Sequence, residues 1–192
     1  MGHLMLDTKG WLRRFRSDRR GVGAIEFAFI APVLIVLYIG ALEVSVAMSV
    51  NKKLARASST VADLVTQAET INKAGLVDMV NVAKSVMAPY SSEGLGIRIS
   101  AINIGPDKVA RIDWSWEANG ATGTRPYIED SVTDIPDNLL IENTALLRSE
   151  LAFEHEMITS FPITGQTMTS IDMAKTYHLR ARLGDKVDCS DC

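Results

Sequence analysis

Cysteine is nearly missing from this chain: its 192 residues include two, Cys189 and Cys192, both at the very end. Two are too few to build a fold from disulfides, so a core must rest on hydrophobic burial. Histidine is almost as sparse, with His3 ahead of the first apolar run and His155 and His178 in separate segments. The sequence has no Gly-rich phosphate loop, no Ser-centred elbow and no His-Glu-x-x-His helix. It also has no internal repeat or low-complexity tract. No acid–base or nucleophile constellation stands out, so the chain is not expected to be an enzyme, and no cofactor or metal is implied. "ELAFEHE" gathers Glu150, Glu154, His155 and Glu156, but a strand sends Glu154 and His155 to opposite faces, and a solvated charged face is the expectation.

What is present is unevenly distributed. The formal charge is −3, yet residues 1–21 carry Lys9, Arg13, Arg14, Arg16, Arg19 and Arg20 against Asp7 and Asp18, a net +4 that leaves −7 for the remainder. A basic head on an acidic body suggests two different surroundings, and the body would repel the phosphates of nucleic acid. After the head comes "FAFIAPVLIVLYIGAL", Phe27 to Leu42, sixteen residues without a charge. As a helix it rises roughly 24 Å, and "VSVAMSV" extends the apolar stretch to Val50 towards the ~30 Å of a hydrocarbon layer. Glu26 and Glu43 then fall near opposite membrane faces, where a carboxylate costs less than the ~2.5–3.5 kcal/mol charged at the bilayer centre. The expected element is a transmembrane helix. Six basic groups before it outweigh Lys52, Lys53 and Arg56 behind it, so the head is expected in the cytoplasm and the body outside, in a diderm bacterium the periplasm. A cleaved secretory signal is the competitor, with "SVA" at Ser45–Ala47 as its cut site and Met48 as the mature start. Its basic head would be longer than such signals need. Myristoylation is not expected, because Leu6 stands where that motif needs Ser or Thr.

The junction itself reads "RRGVGAIEFAF", residues 19–29. Gly21 offers a backbone without side-chain obstruction, and the arginines hold it at the cytoplasmic face. Cleavage after it would create an α-amine on Val22 that is largely charged at neutral pH, a partner for Glu26. A carboxylate in a low-dielectric setting is costly to leave unpaired. The alternative is that Glu26 only reaches to the interface. The order of basic head, Gly, four residues, Glu-Phe and apolar helix resembles a type IV prepilin signal. "GAIEFAFIAPVLIVLYIGALEVSVAM" is most similar to the TadE-like minor pseudopilins of tight-adherence (Tad) pilus systems, with Glu26-Phe27 and Pro32 in matching places. The resemblance implies a prepilin peptidase that cuts between Gly21 and Val22. It also implies an assembly contact at Glu26 and Phe27, and pilins or pseudopilins and an inner-membrane pilus platform as partners.

Beyond the membrane, Val50, Leu54, Ala57, Val61, Leu64, Ala68 and Ile71 step by four and three along a helical seam, expected to pack on the chain's own core. A second helix is expected over residues 72–88, capped by Asn72 and ended by Pro89. Then come strands. "LGIRISAINI" alternates and slips phase at Ala101–Ile102, as at a bulge. "VARIDWSWEA" puts Ala110, Ile112, Trp114 and Trp116 on one face, with "GPDK" as the turn between the two. Residues 119–126 read as a loop and 134–138 as a turn, and residues 145–155 and 170–183 read as further strands. The fold class is α+β: a long N-terminal helix, a second helix and an antiparallel sheet of about four strands. The expected organisation is a leader over 1–21, a transmembrane helix continuing as an amphipathic helix over 22–71, and a periplasmic domain over 72–192. Cys189 and Cys192 are expected to close a small internal disulfide that adds little on the loop-entropy argument, with a link to a partner chain as the alternative. The function expected is a minor pilin-like subunit that assists assembly of an adhesive pilus. The alternative is an uncleaved, membrane-anchored ligand-binding module.

Overall fold

The computed structural model describes residues 21–118, 123–163 and 166–192, with backbone alone at 158–163 and 166–168. Of the expected leader only Gly21 lies among them, and residues 119–122 of the expected 119–126 loop lie outside. The chain divides into two compact units, residues 1–44 and 45–192.

Helix α1 spans Val22–Thr66 and gives residues to both units. It starts where the Gly21 carbonyl accepts the N–H groups of Ala24 (3.1 Å) and Ile25 (3.2 Å). In the first unit the helix is apolar all round but for Glu26 and Glu43, and mostly exposed. In the second it becomes amphipathic: Val50, Leu54, Ala57, Val61 and Val65 are buried, and Leu64 is only half-buried. The expected 3.5-residue seam chose Leu64. A straight helix drifts by ~20° per heptad from that repeat, and after two heptads the drift has carried Leu64 off the buried stripe, which Val65 joins instead. The helix also stops short of Ile71. Its last turn tightens, with Gln67 and Ala68 bonding back three residues. The orphan carbonyl of Thr66 is taken by the Arg182 N–H at 2.9 Å, and Arg182 also pairs with Asp63.

Strand β1 (Thr70–Ile71) leads into helix α2 (Lys73–Met87). The Asn72 side chain caps α2 by accepting from Gly75 N at 2.8 Å, and Leu76, Ala83 and Met87 form its buried stripe. Strands β2 (Gly96–Ile104), β3 (Ala110–Glu117), β4 (Thr144–Ile163) and β5 (Gln166–Leu179) make one antiparallel sheet in the order β3-β2-β4-β5. The β2–β3 turn is at "GPDK", with Lys108 N donating to Gly105 O at 3.1 Å. A two-residue strand β6 (Asp188–Cys189) pairs in parallel with β1.

The bulge occurs at Ala101/Ile102 in the β2–β3 pairing, but the extra residue is on β3. Ala101 faces Trp114 and Ile102 faces Ile112, which leaves Asp113 unpaired, while β2 keeps continuous register with β4. The expected single apolar face of β3 is therefore split. Trp114 and Trp116 point into the core under the helices, and Ala110 and Ile112 point into a second core on the opposite side. The phase slip read in β2 has the same origin. Ile97, Ile99 and Ala101 face the helices, whereas Ile102 and Ile104 meet Ile112, Leu146 and Ile135 on the far side. Both faces of the sheet are thus covered, one by Leu54, Val61, Leu76 and Met87, the other by the strap around Tyr127, Ile135 and Leu139. Small residues let α1 lie close on the sheet: buried Ser58 donates to Ser149 O at 3.1 Å. On the strap side of β3, Thr124 and Val132 bridge to Glu117 and Arg111. Gly123 has φ +67, and a Cβ there would overlap the Trp116 indole, so glycine serves both the turn and the packing.

Candidate functional site

The expected processing and assembly residues share one helix end. Gly21 is exposed and caps α1 through its carbonyl, and Val22 is the first helical residue. Glu26 lies four residues further on, about 6 Å along the axis and on the same face as Val22. Glu26 and Phe27 are exposed, as are Ile25, Phe29, Ile30 and Val33 through Leu37. An 18-residue apolar window of mean hydropathy 2.4 in this helix has none of its residues buried. The Val22–Val44 portion rises about 34 Å, against ~30 Å of hydrocarbon. By length and composition α1 is a candidate membrane anchor. Glu26 and Glu43 stand about 26 Å apart along it, one exposed and the other 6% exposed.

Cys189 and Cys192 form a disulfide within the chain. The segment around it is tied to several elements. Trp114 Nε1 donates to Val187 O (2.7 Å), Asp188 N and Ser190 N donate to the Glu69 and Ile71 carbonyls (2.9 and 3.0 Å), and Lys73 N donates to Asp191 Oδ1 (2.7 Å). Arg125 reaches the Cys192 carbonyl. Lys186 sits between Asp188 (2.7 Å) and Asp113 (3.3 Å), and these bonds raise its pKa. The sulfur atoms and the Asp191 carboxylate lie within 4.8 Å of one another, but both thiols are consumed in the disulfide.

The two histidines of the body are not brought together. His178 is the cross-strand partner of Arg148 and His155 that of Ile171, about seven ladder steps or ~23 Å apart. Glu154 and Glu156 are exposed, and His155 is half-buried on the opposite face of β4.

The sequence reading missed a polar network on the strap side of the sheet. Arg148 is 7% exposed. Its Nε meets Ser100 Oγ (3.2 Å) and Glu150 Oε2 (3.3 Å), its Nη1 donates to Thr133 Oγ1 (2.9 Å), and its guanidinium lies 4.9 Å over the Tyr127 ring. Tyr127 Oη donates to Glu150 Oε2 at 2.9 Å, and Arg98 Nε pairs with Glu117 Oε1 at 2.6 Å. Burial and then the bond to Glu150 raise the Tyr127 pKa. The bond to Glu117 leads the rise at Arg98. Burial, followed by the Arg148 charge, lowers that of His178. The network holds no nucleophile–base pair and ties strap to sheet. One signal was available: in "ALLRSEL" an arginine sits two residues from Leu146, so it shares that residue's buried face.

Residues 21–63 match the family described as TadE-like protein. No curated protein and no solved structure matches the chain. The matched stretch opens at Gly21, includes Glu26, Phe27 and Pro32, and ends three residues before the close of α1. The segment that holds the candidate processing and assembly residues is therefore TadE-like.

Proposed function

We propose that this protein is a minor pilin-like subunit that a prepilin peptidase cuts between Gly21 and Val22 and that is needed to assemble an adhesive Tad-type pilus. The observation that carries the proposal is the TadE-like stretch, because its first residues are the ones such processing requires. Physical chemistry supports each role. Gly21 is exposed and free of side-chain bulk beside six basic residues that favour the cytoplasm. Cutting there puts a charged amine on a helix N-terminus, four residues from Glu26. The helix dipole favours a carboxylate close to that end. In lipid, Glu26 then has two partners to choose from, the amine of its own chain and that of a neighbour, and subunit contact decides between them. The role is structural rather than catalytic, and the acidic body is placed in the periplasm.

The test is the N-terminal residue of the membrane-extracted protein, by mass spectrometry, in hosts with and without prepilin peptidase. Val22 appearing only with the peptidase is the expected result. Met1 retained in both would sink the proposal in favour of an anchored binding module. A start at Met48 would mean a secreted protein and a discarded Glu26. A Glu26→Ala variant is expected to be processed and folded yet to lose piliation, and normal piliation would remove the assembly role.

A further inference from the structure

Strand β4 is much longer than β2. Their pairing ends at Gly96–Ala152, while β4 runs on to Ile163 paired with β5 alone. Just past the last β2 pair lies a cavity of about 560 Å³, walled by residues 153–156 of β4 and by Tyr90, Ser91, Glu93 and Gly94. Consecutive strand residues point to opposite faces, so a cavity that touches four in a row runs along the strand's edge, not over a face. The other edge of this stretch is taken by β5, through the pairs Phe153–Met173 to Glu156–Ser170. The open edge is therefore the β2 side. The chain leaves that line at Gly94, whose φ is +75, and among the described residues no strand fills it. A sheet edge of this kind presents a row of main-chain donors and acceptors to an added strand.

The side chains give the sign of the occupant. Glu93, Glu154 and Glu156 line the cavity beside His155, and among the described residues no lysine or arginine does. An adjoining cavity of about 330 Å³ adds Asp172 and, among the described residues, no lysine or arginine. Glu154 and Glu156 are two residues apart on one face, so a strand laid along β4 meets them at alternate positions. We propose that the β4 edge beyond Ala152 is a docking slot for an extended segment of another protein carrying lysine or arginine two residues apart. Main-chain pairing would supply affinity, and the carboxylates would select a basic partner. The slot lies outside residues 21–63, so its failure would leave the pilus reading untouched.

The test uses the full-length protein in detergent and two labelled peptides of equal length, Thr-Lys-Val-Arg-Val-Thr and Thr-Glu-Val-Glu-Val-Thr, followed by fluorescence anisotropy. The basic peptide is expected to bind, more weakly at 500 mM than at 50 mM salt, and the acidic one not to. Glu154→Gln with Glu156→Gln is expected to weaken binding about two- to thirtyfold, the range for two exposed ion pairs. Methylating alternate main-chain nitrogens of the basic peptide should abolish binding. Equal binding of both peptides, no binding of either, insensitivity to the glutamine pair or to N-methylation, or a dimer that closes the slot would each overturn the proposal.

Discussion

Arg148 and Glu150 allow a sharp test of how the strap is held. The Arg148 side chain is 8% exposed and that of Glu150 26%, with 3.3 Å between Nε and Oε2. Removing one partner of a buried pair leaves the other uncompensated, at about 3–5 kcal/mol when fully buried. Glu150→Met strands the more deeply buried ion, whose remaining hydrogen bonds go to the hydroxyls of Ser100 and Thr133, so a loss of about 3–4 kcal/mol is expected. Arg148→Met keeps a long apolar side chain at the site. It strands a carboxylate that reaches water and still accepts from the Tyr127 hydroxyl, so the loss should be smaller, about 2–3 kcal/mol. The double substitution replaces the pair by apolar groups of similar size and should cost under about 2 kcal/mol, a coupling of roughly 3 kcal/mol or more. Urea unfolding of the full chain in detergent, followed through the fluorescence of buried Trp114 and Trp116, measures all three. The slope with denaturant should stay constant, since the domain is unchanged. Additive losses, or Arg148→Met costing more than Glu150→Met, would refute the reasoning.

The same assay checks two further expectations. His178 has a lowered pKa, led by burial, so below its usual value of about 6.5 the unfolded chain takes up a proton that the folded chain resists. Its contribution is complete above that value and is lost as pH falls through the lowered folded pKa; His178→Gln should flatten the stability profile in that window, and an unchanged acid slope would count against it. Leu54→Ala empties a fully buried site in α1 and should cost about 3–5 kcal/mol, whereas Ile30→Ala, at a site 53% exposed in the first unit, should leave the unfolding of the second unit within about 0.5 kcal/mol. Comparable losses from the two would mean that the units do not unfold separately.

Much of the fold was readable because its periodicities are strong. The α1 seam, the Asn72 cap, the "GPDK" turn and the four antiparallel strands each follow from spacing or from turn chemistry. The errors in the sheet have one physical source. Alternation was read as one apolar face and one wet face, the usual state of an antiparallel sheet. Here a strap covers the second face, so Ile102, Ile104 and Ile112 are core residues that a single-faced reading must explain as a slip. The strap itself, around Tyr127 and Ile135, has no period. Its burial depends on contacts across the sheet, such as the Ser115 hydroxyl donating to Tyr127 O at 3.0 Å, which no local pattern encodes.

The candidate sites divide along the same line. Everything recognisable at the TadE-like end lies on one helix, where side chains recur at fixed rises along an axis, and that regularity survives as a linear motif. The TadE-like match ends at residue 63, three residues before that helix closes. A sheet needs only apolar residues at covered positions to fold, so the covered positions of the second unit say little about what it binds. What distinguishes the domain is therefore to be sought where folding leaves the choice free. The β4 edge is such a place: neither sheet register nor core packing fixes the charge of Glu93, Glu154 and Glu156, yet all line a slot that, among the described residues, holds no lysine or arginine. If docking rather than folding sets those charges, reversing them should change which peptide binds while the urea midpoint stays where it was.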